Sequence, residues 1–404
     1  LKKIPDSIKK FILIGLSLFL FKSVFIAYAY TFSQIQYNQF NQSYYTASIL
    51  ILFASLGFNI SQTRIPIKTI AIFFFVTINS LLTYFVLSLV SDTFSNITDA
   101  IPVIIYTIFV SAGGILNFRL LFDGKYQKYS WVMFMLAAAH FIIIPGVLFF
   151  GLSIFPSLAV LIVIWFFAVY RLFDKEDLKN RNFREYYKLG FSAFVINSAV
   201  SLGLAGDKFI VNHFFATDIA NAYTFAWGLT APIFYIGTLI EKYLFAEPKP
   251  DKTRILKKGF ILSLIIISAY TFGIITIIKL FPALLPAAIS KEIFGHIFIF
   301  MITGYSLYVI LHFPLNTYLF KVIDTGKQKK ISLYFSIIIL ISIFMFYYLI
   351  NYVPGLNYQM LLAAVWIYIF TLLIVKMVII FTGKEDSLSV KGNVISEEIQ
   401  EIPK

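Results

Sequence analysis

The run from Lys188 to Lys208, "KLGFSAFVINSAVSLGLAGDK", decides the fold. A lysine opens it, an Asp–Lys pair closes it, and nothing from Leu189 to Gly206 carries a charge. About 20 predominantly apolar residues are what a helix needs to cross a bilayer core. In water Asp207 beside Lys208 would be unremarkable. At the end of an apolar run the pair marks a membrane boundary, a partner or a task.

Runs of this kind recur along the whole chain. Of its 404 residues 59% are hydrophobic and 13% charged, with a mean hydropathy of +0.85. A soluble domain carries roughly 25% charge, so most of this surface is not built for water. The runs are solidly apolar, without the period-two alternation of barrel strands. Helices are then the spanning structure that satisfies every backbone group in lipid. The pattern predicts twelve spans, near 11–30, 45–62, 67–90, 101–122, 130–149, 153–172, 188–206, 219–241, 259–280, 296–320, 331–350 and 359–382. The first follows the basic "LKKIPDSIKK" with no small-residue cleavage site, and reads as a retained helix.

There is no cysteine, which excludes disulfides and thiolate metal sites. The four histidines, His140, His213, His296 and His312, lack metal-ligand spacing and read as packing or interfacial residues. A net charge of +13 would suggest nucleic acid in a soluble protein. Here its cause is topological. Segments 1–10, 61–68, 119–128, 171–188, 242–258, 321–330 and 383–404 fall on one side of the spans and hold 28 of the 33 Lys and Arg. The positive-inside rule makes that side cytoplasmic, with both termini on it. The opposite loops, such as "TFSQIQYNQFNQSYY", are short and nearly uncharged and leave no room for an outer catalytic domain.

Lys10, Tyr45, Thr46 and Arg64 recur as Lys188, Tyr223, Thr224 and Lys242, all 178 residues later. "FDGKYQKYS" (122–130) is echoed by "IDTGKQKKIS" (323–332) at an offset of 202. Six spans separate the copies, so they share one orientation. The expected architecture is an all-α membrane protein of about twelve helices in two six-helix lobes related by a pseudo-twofold axis. The lobes are expected at 1–172 and 188–382, with a cytoplasmic linker at 173–187 and a polar cytoplasmic tail at 383–404. A substrate site between such lobes is a transporter design.

Three stretches carry a family resemblance. "YNQFNQSYYTASILILFASLGFNISQTR", with Gly57 and Arg64, resembles the second-helix signature of O-antigen and polysaccharide flippases. "NFRLLFDGKYQKYSW" resembles their fourth-helix exit, ending at Arg119. "YYKLGFSAFVINSAVSLGLAGDKFIVNHFFATDIANAYTFA" resembles their seventh helix and the approach to the eighth. That family shares its two-lobe fold with multidrug exporters of the MATE class and with lipid II flippases. The resemblance implies a bacterial inner-membrane protein that flips an undecaprenyl-diphosphate-linked oligosaccharide by alternating access, alongside polysaccharide-assembly enzymes. The chain lacks the prolines common at the start of helix seven and the end of helix eight.

Several charges are candidates for that task. Lys22 lies within span one, about 12 Å from its nearer end, where a lysine calls for a wet cavity or an acidic partner. Arg119 and Arg64 close spans on the basic side, either as ordinary anchors or as guanidinium forks for a phosphate in a cationic path. Asp207 and Lys208 read as a gate contact between the lobes or as headgroup-exposed residues. Glu241, the sole acid in span eight, reads as a proton acceptor, as the neutralising partner of Lys22 or Arg119, or as an interfacial residue beside Lys242. Pro314, inside span ten, predicts a kink. No Walker-type motif occurs, so transport would draw on a proton or sodium gradient or on the cargo's own concentration difference. A MATE-type multidrug exporter is the alternative. It calls for a central acid in the first lobe, which spans one to six lack. A polysaccharide polymerase or lipid-linked glycosyltransferase would need a larger outer loop or an acid pair at the membrane face. Asp92 and Asp99 are the one outer pair in a single loop.

Overall fold

The structure, a computed structural model, describes residues 5–90, 97–173, 183–247, 252–282, 291–323, 325–352 and 357–382. Asp92, most of the expected linker (174–182) and the tail from 383 onward lie outside them. The described residues form fourteen α-helices and no strand. In chain order these are α1 (Asp6–Thr31), α2 (Gln34–Ser55), α3 (Phe58–Arg64), α4 (Thr69–Val90), α5 (Ile97–Phe122), α6 (Tyr126–Phe141) and α7 (Ile143–Phe150). There follow α8 (Ile154–Val169), α9 (Phe183–Phe214), α10 (Thr217–Phe245), α11 (Lys252–Leu280), α12 (Lys291–Lys321), α13 (Thr325–Tyr352) and α14 (Tyr358–Thr382).

Two of the twelve expected spans are broken. The second divides into α2 and α3 at Leu56 and Gly57, both in the left-handed region at φ 36° and 66°. The fifth divides into α6 and α7 at Ile142. Pro145 has no N–H to return to the carbonyl of Phe141, and the helix parts just before it. Counting each broken pair as one rod gives twelve rods. Among the described residues, nine helices or helix pairs are long and apolar enough to cross a membrane.

The structure departs from the expected boundaries at the ends of the rods. "QIQYNQFNQSYY", read as an outer loop, is the start of α2. Ser33 caps it: its Oγ accepts from Gln36 N at 3.3 Å, and Gln36 Oε1 accepts from Ser33 N at 3.1 Å. Hydropathy marks only the hydrocarbon part of a helix, and a capped amide-rich turn continues it into the interface. α9 also runs past its expected end, about two turns beyond Asp207–Lys208 through the mostly apolar "FIVNHF" to Phe214.

The packing repeats. In the first half α1 lies on α6, α2 on α4 and α5, α4 on α5, α5 on α8, and α6 on α8. In the second half α9 lies on α13, α10 on α11 and α12, α11 on α12, α12 on α14, and α13 on α14. These are corresponding pairs of two lobes. One detail recurs between them. A Cβ at Gly113 on α5 would overlap the Trp165 indole of α8, and one at Gly304 on α12 would overlap the Trp366 indole of α14. Each lobe thus seats a tryptophan of its last helix against a glycine of its central helix. The flanking helices turn apolar side chains outward, among them Phe85, Leu89 and Phe272.

Candidate functional site

The lobes meet where the basic segments gather. α3 crosses α9 so closely that a Cβ on Gly57 would overlap the carbonyl oxygen of Gly190 and lie 2.7 Å from Phe194 N. Ser61 Oγ donates to Tyr186 O at 2.8 Å, and Phe53 meets Phe194 with ring centroids 5.4 Å apart. Helix ends supply the polar joints, because their last carbonyls have no intrahelical donor. Arg64 of the first lobe donates from Nη2 to Phe320 O at 2.8 Å and Leu319 O at 3.1 Å, capping α12 of the second. Lys10 Nζ donates to Ala246 O at 3.3 Å, just beyond α10. Lys321 Nζ donates to Phe245 O and Glu247 O, tying α12 to the same end of α10.

Arg119 lies beside this junction. Its Nη1 donates to Gln62 O at 3.3 Å, and its Nε faces Asp123 Oδ2 at 3.4 Å. Phe118, its neighbour, meets Phe245 edge to face at 4.9 Å and lies beneath the ammonium of Lys242, 4.3 Å from the ring centre. Three cations singled out by the sequence, Arg64, Arg119 and Lys242, therefore gather around one meeting of α3, α5, α10 and α12.

Glu247 completes the junction. Lys258 Nζ donates to its Oε1 at 2.5 Å, and Arg254 Nη2 lies 3.9 Å from Oε2. Burial alone would raise its pKa. The Lys258 hydrogen bond and the charges of Lys10, Lys258 and Arg254 outweigh that and hold the carboxyl below its ordinary value.

A second cluster lies in the second lobe, one to two turns from the same end. Asn316 Nδ2 donates to Glu241 Oε1 at 2.7 Å, and Asn316 Oδ1 accepts from Lys376 Nζ at 3.2 Å. One amide thus bridges a carboxylate on α10 and an ammonium on α14. Lys376 Nζ is also 3.5 Å from His312 Nδ1, which Tyr308 OH approaches at 2.8 Å. Lys376 is 1% exposed, and His312 and Asn316 6% each. Buried polar groups of this kind need partners, and α12 can carry them because α10, α11 and α14 surround it. Pro314 is buried in the same helix and leaves Ile310 O without its helical donor. Gly259 of α11 makes room for its ring, since a Cβ there would lie 2.9 Å from Pro314 Cβ.

The sequence left Glu241 open as a proton acceptor, as the neutralising partner of Lys22 or Arg119, or as an interfacial residue beside Lys242; among the described residues it accepts a hydrogen bond from Asn316, with Lys376 behind that amide. The backbones of Lys22, Asp207 and Lys208 lie in α1 and α9, but their side chains lie outside the described residues. In the first lobe His140 is a packing residue: Nδ1 donates to Leu136 O at 2.8 Å, and Tyr106 OH meets Nε2 at 3.1 Å. His312 and Asn316, two residues either side of Pro314, belong to the cluster as well.

No protein-family model matches the sequence, and no curated protein matches it significantly. Solved structures do. An outward-facing multidrug resistance MATE family transporter of the MOP superfamily superposes with a TM-score of 0.55 at 13% identity, over 93% of this chain and 94% of that one. A MATE in the straight conformation gives 0.59 at 13% identity, over 92% and 94%. A MOP superfamily transporter from Pyrococcus furiosus, described as having a binding pocket of reverse polarity that suggests a different function, gives 0.57 at 13%, over 92% and 94%. The chain is a multi-pass membrane protein with the MATE fold.

Proposed function

We propose that the protein is an alternating-access transporter of an anionic lipid-linked cargo, an undecaprenyl-diphosphate-linked oligosaccharide carried to the outer face of a bacterial inner membrane. The observation that carries this reading is the gathering of Arg64, Arg119 and Lys242 around the meeting of α3, α5, α10 and α12. When the lobes part there, the α12 carbonyls give up Arg64 and the Phe118 ring gives up Lys242, and a diphosphate can take both beside Arg119. Arginine suits the exchange because its planar fork binds phosphate oxygens in pairs. The sequence resemblance to polysaccharide flippases points the same way. Glu241, bridged to Lys376 and placed near the same end, is the group we assign to coupling with a proton or sodium gradient.

A second reading, export of organic cations, has its own support. The fold is that of a multidrug resistance transporter, and Glu241 supplies a carboxylate inside the second lobe. The two separate in a strain that lacks its own polysaccharide flippase and carries the cognate sugar-assembly genes. The flippase reading expects surface polysaccharide to be restored. Arg119→Ala at equal membrane abundance should reduce it at least about tenfold, the worth of one charge-assisted hydrogen bond. Lys22→Ala tests the embedded lysine in the same assay. No rescue, together with efflux of a cationic dye, would establish the exporter instead.

A further inference from the structure

We propose that a groove between α1 and α11 at the basic end binds an anionic phospholipid of the surrounding bilayer, whose phosphate rests on Arg254 and Lys257. The groove holds about 540 Å³. Its wall is made by Ile8 and Phe11 of α1, Tyr243 of α10, and Ile261, Leu262 and Ile265 of α11. Such a wall suits an acyl chain. Ile8, Ile261 and Ile265 are each about half exposed, so the groove opens sideways to lipid rather than inward.

Charge is confined to one end. Arg254, Lys257 and Lys258 lie on the first turns of α11, and Ser7 opens α1 opposite them. From Lys257 to Ile265 the helix advances about 12 Å, the passage from headgroup level into hydrocarbon. Lys258 is engaged by Glu247 at 2.5 Å and also lies over the Tyr243 ring at 4.5 Å. Arg254 Nη2 lies 3.9 Å from Glu247 Oε2 and its side chain is 61% exposed; Lys257 is exposed as well. Among the described residues, three cations stand here against the carboxylates of Glu247 and Asp6, which leaves the rim positive. Asp6, next to Ser7, is turned to Tyr126, whose hydroxyl donates to it at 2.7 Å. Basic sites between helices on a cytoplasmic face are where anionic headgroups bind. α1 belongs to the first lobe and α11 to the second, so a lipid seated here spans their junction.

The test is native mass spectrometry of the full chain in detergent, titrated with phosphatidylglycerol or phosphatidylethanolamine. The expected result is preferential retention of phosphatidylglycerol. Arg254→Gln and Lys257→Gln should each weaken it about fivefold, the worth of one cation near an anionic headgroup, while phosphatidylethanolamine, whose phosphate carries its own ammonium, is weakened less. Lys257→Gln leaves the Glu247 pairs intact, and its melting temperature in phosphatidylethanolamine shows that it folds. Equal retention of the two lipids, or variants that hold phosphatidylglycerol as tightly as the parent, would overturn the proposal. So would undecaprenyl diphosphate displacing phosphatidylglycerol at equal concentration, which would make the groove a cargo entrance instead.

Discussion

Asn316 holds the buried cluster together, because its amide alone can serve an acid and a base at once. Replacing it by leucine leaves Lys376 buried without that acceptor. A lost hydrogen bond to a charged group costs about 1.5–3 kcal/mol. Lys376→Met removes the charge that needs satisfying and should cost less, since a well-packed apolar replacement of a buried ion is often tolerated. Thermal melting in detergent should therefore rank Asn316→Leu below Lys376→Met; the opposite order would mean that the cluster is not organised around the amide. Gly57 makes a second comparison. Gly57→Ala and Gly151→Ala both place a side chain at positive φ, 66° and 63°, a strain of roughly 1–2 kcal/mol each. A Cβ at Gly151 meets nothing within 4 Å, whereas one at Gly57 meets the Gly190 carbonyl. The Gly57 variant should melt lower. Equal losses would remove the close crossing of α3 and α9 from the account. The sequence showed Gly57 and Glu241 as unusual residues but hid their partners, which lie 133 and 75 positions away.

At the level of elements, helix ends do most of the joining. Arg64, Lys10 and Lys321 each satisfy carbonyls at or just beyond the end of another helix, and Glu247 sits among the cations. Its lowered pKa gives these contacts a pH dependence with a definite sign. A depressed carboxyl adds stability above its ordinary value of 4.5 and loses that contribution as pH falls through the lowered one. Wild type should therefore exceed Glu247→Gln in melting temperature at neutral pH, and the gap should close on acidification. A gap that persists unchanged to low pH would contradict the assigned pairing. The twelve rods were legible in the sequence because each is a long apolar run between polar ends. Their true lengths were not, since the capped start of α2 is polar, and in α9 the charged pair Asp207–Lys208 interrupts an apolar helix that continues as "FIVNHF" to Phe214. The break at Ile142 was also missed: one proline in an apolar run predicts a bend but does not say where the helix parts.

For the whole molecule, the central question is whether the joined basic end opens and what passes when it does. The chain has no cysteine, so a pair introduced at Phe53 and Phe194 would be its only thiols. The parent rings meet at 5.4 Å, which puts the thiols within reach of a short bifunctional linker. Cross-linking them should stop transport, and cleaving the linker should restore it; unimpaired transport by the linked protein would exclude alternating access through this junction. The repeat explains why the two-lobe plan was readable: matched residues at one offset recur as matched packing of α1–α8 and α9–α14. Cargo identity was not readable in the same way, because cations at a junction report charge and not sugar. The most direct measurement is movement of an undecaprenyl-diphosphate-linked oligosaccharide across liposomes containing the purified protein, read by a lectin that cannot cross the bilayer. The account predicts movement faster than in protein-free liposomes and slowed at least about tenfold by Arg119→Ala. Movement no faster than in protein-free liposomes, from a preparation that does transport an organic cation, would contradict it.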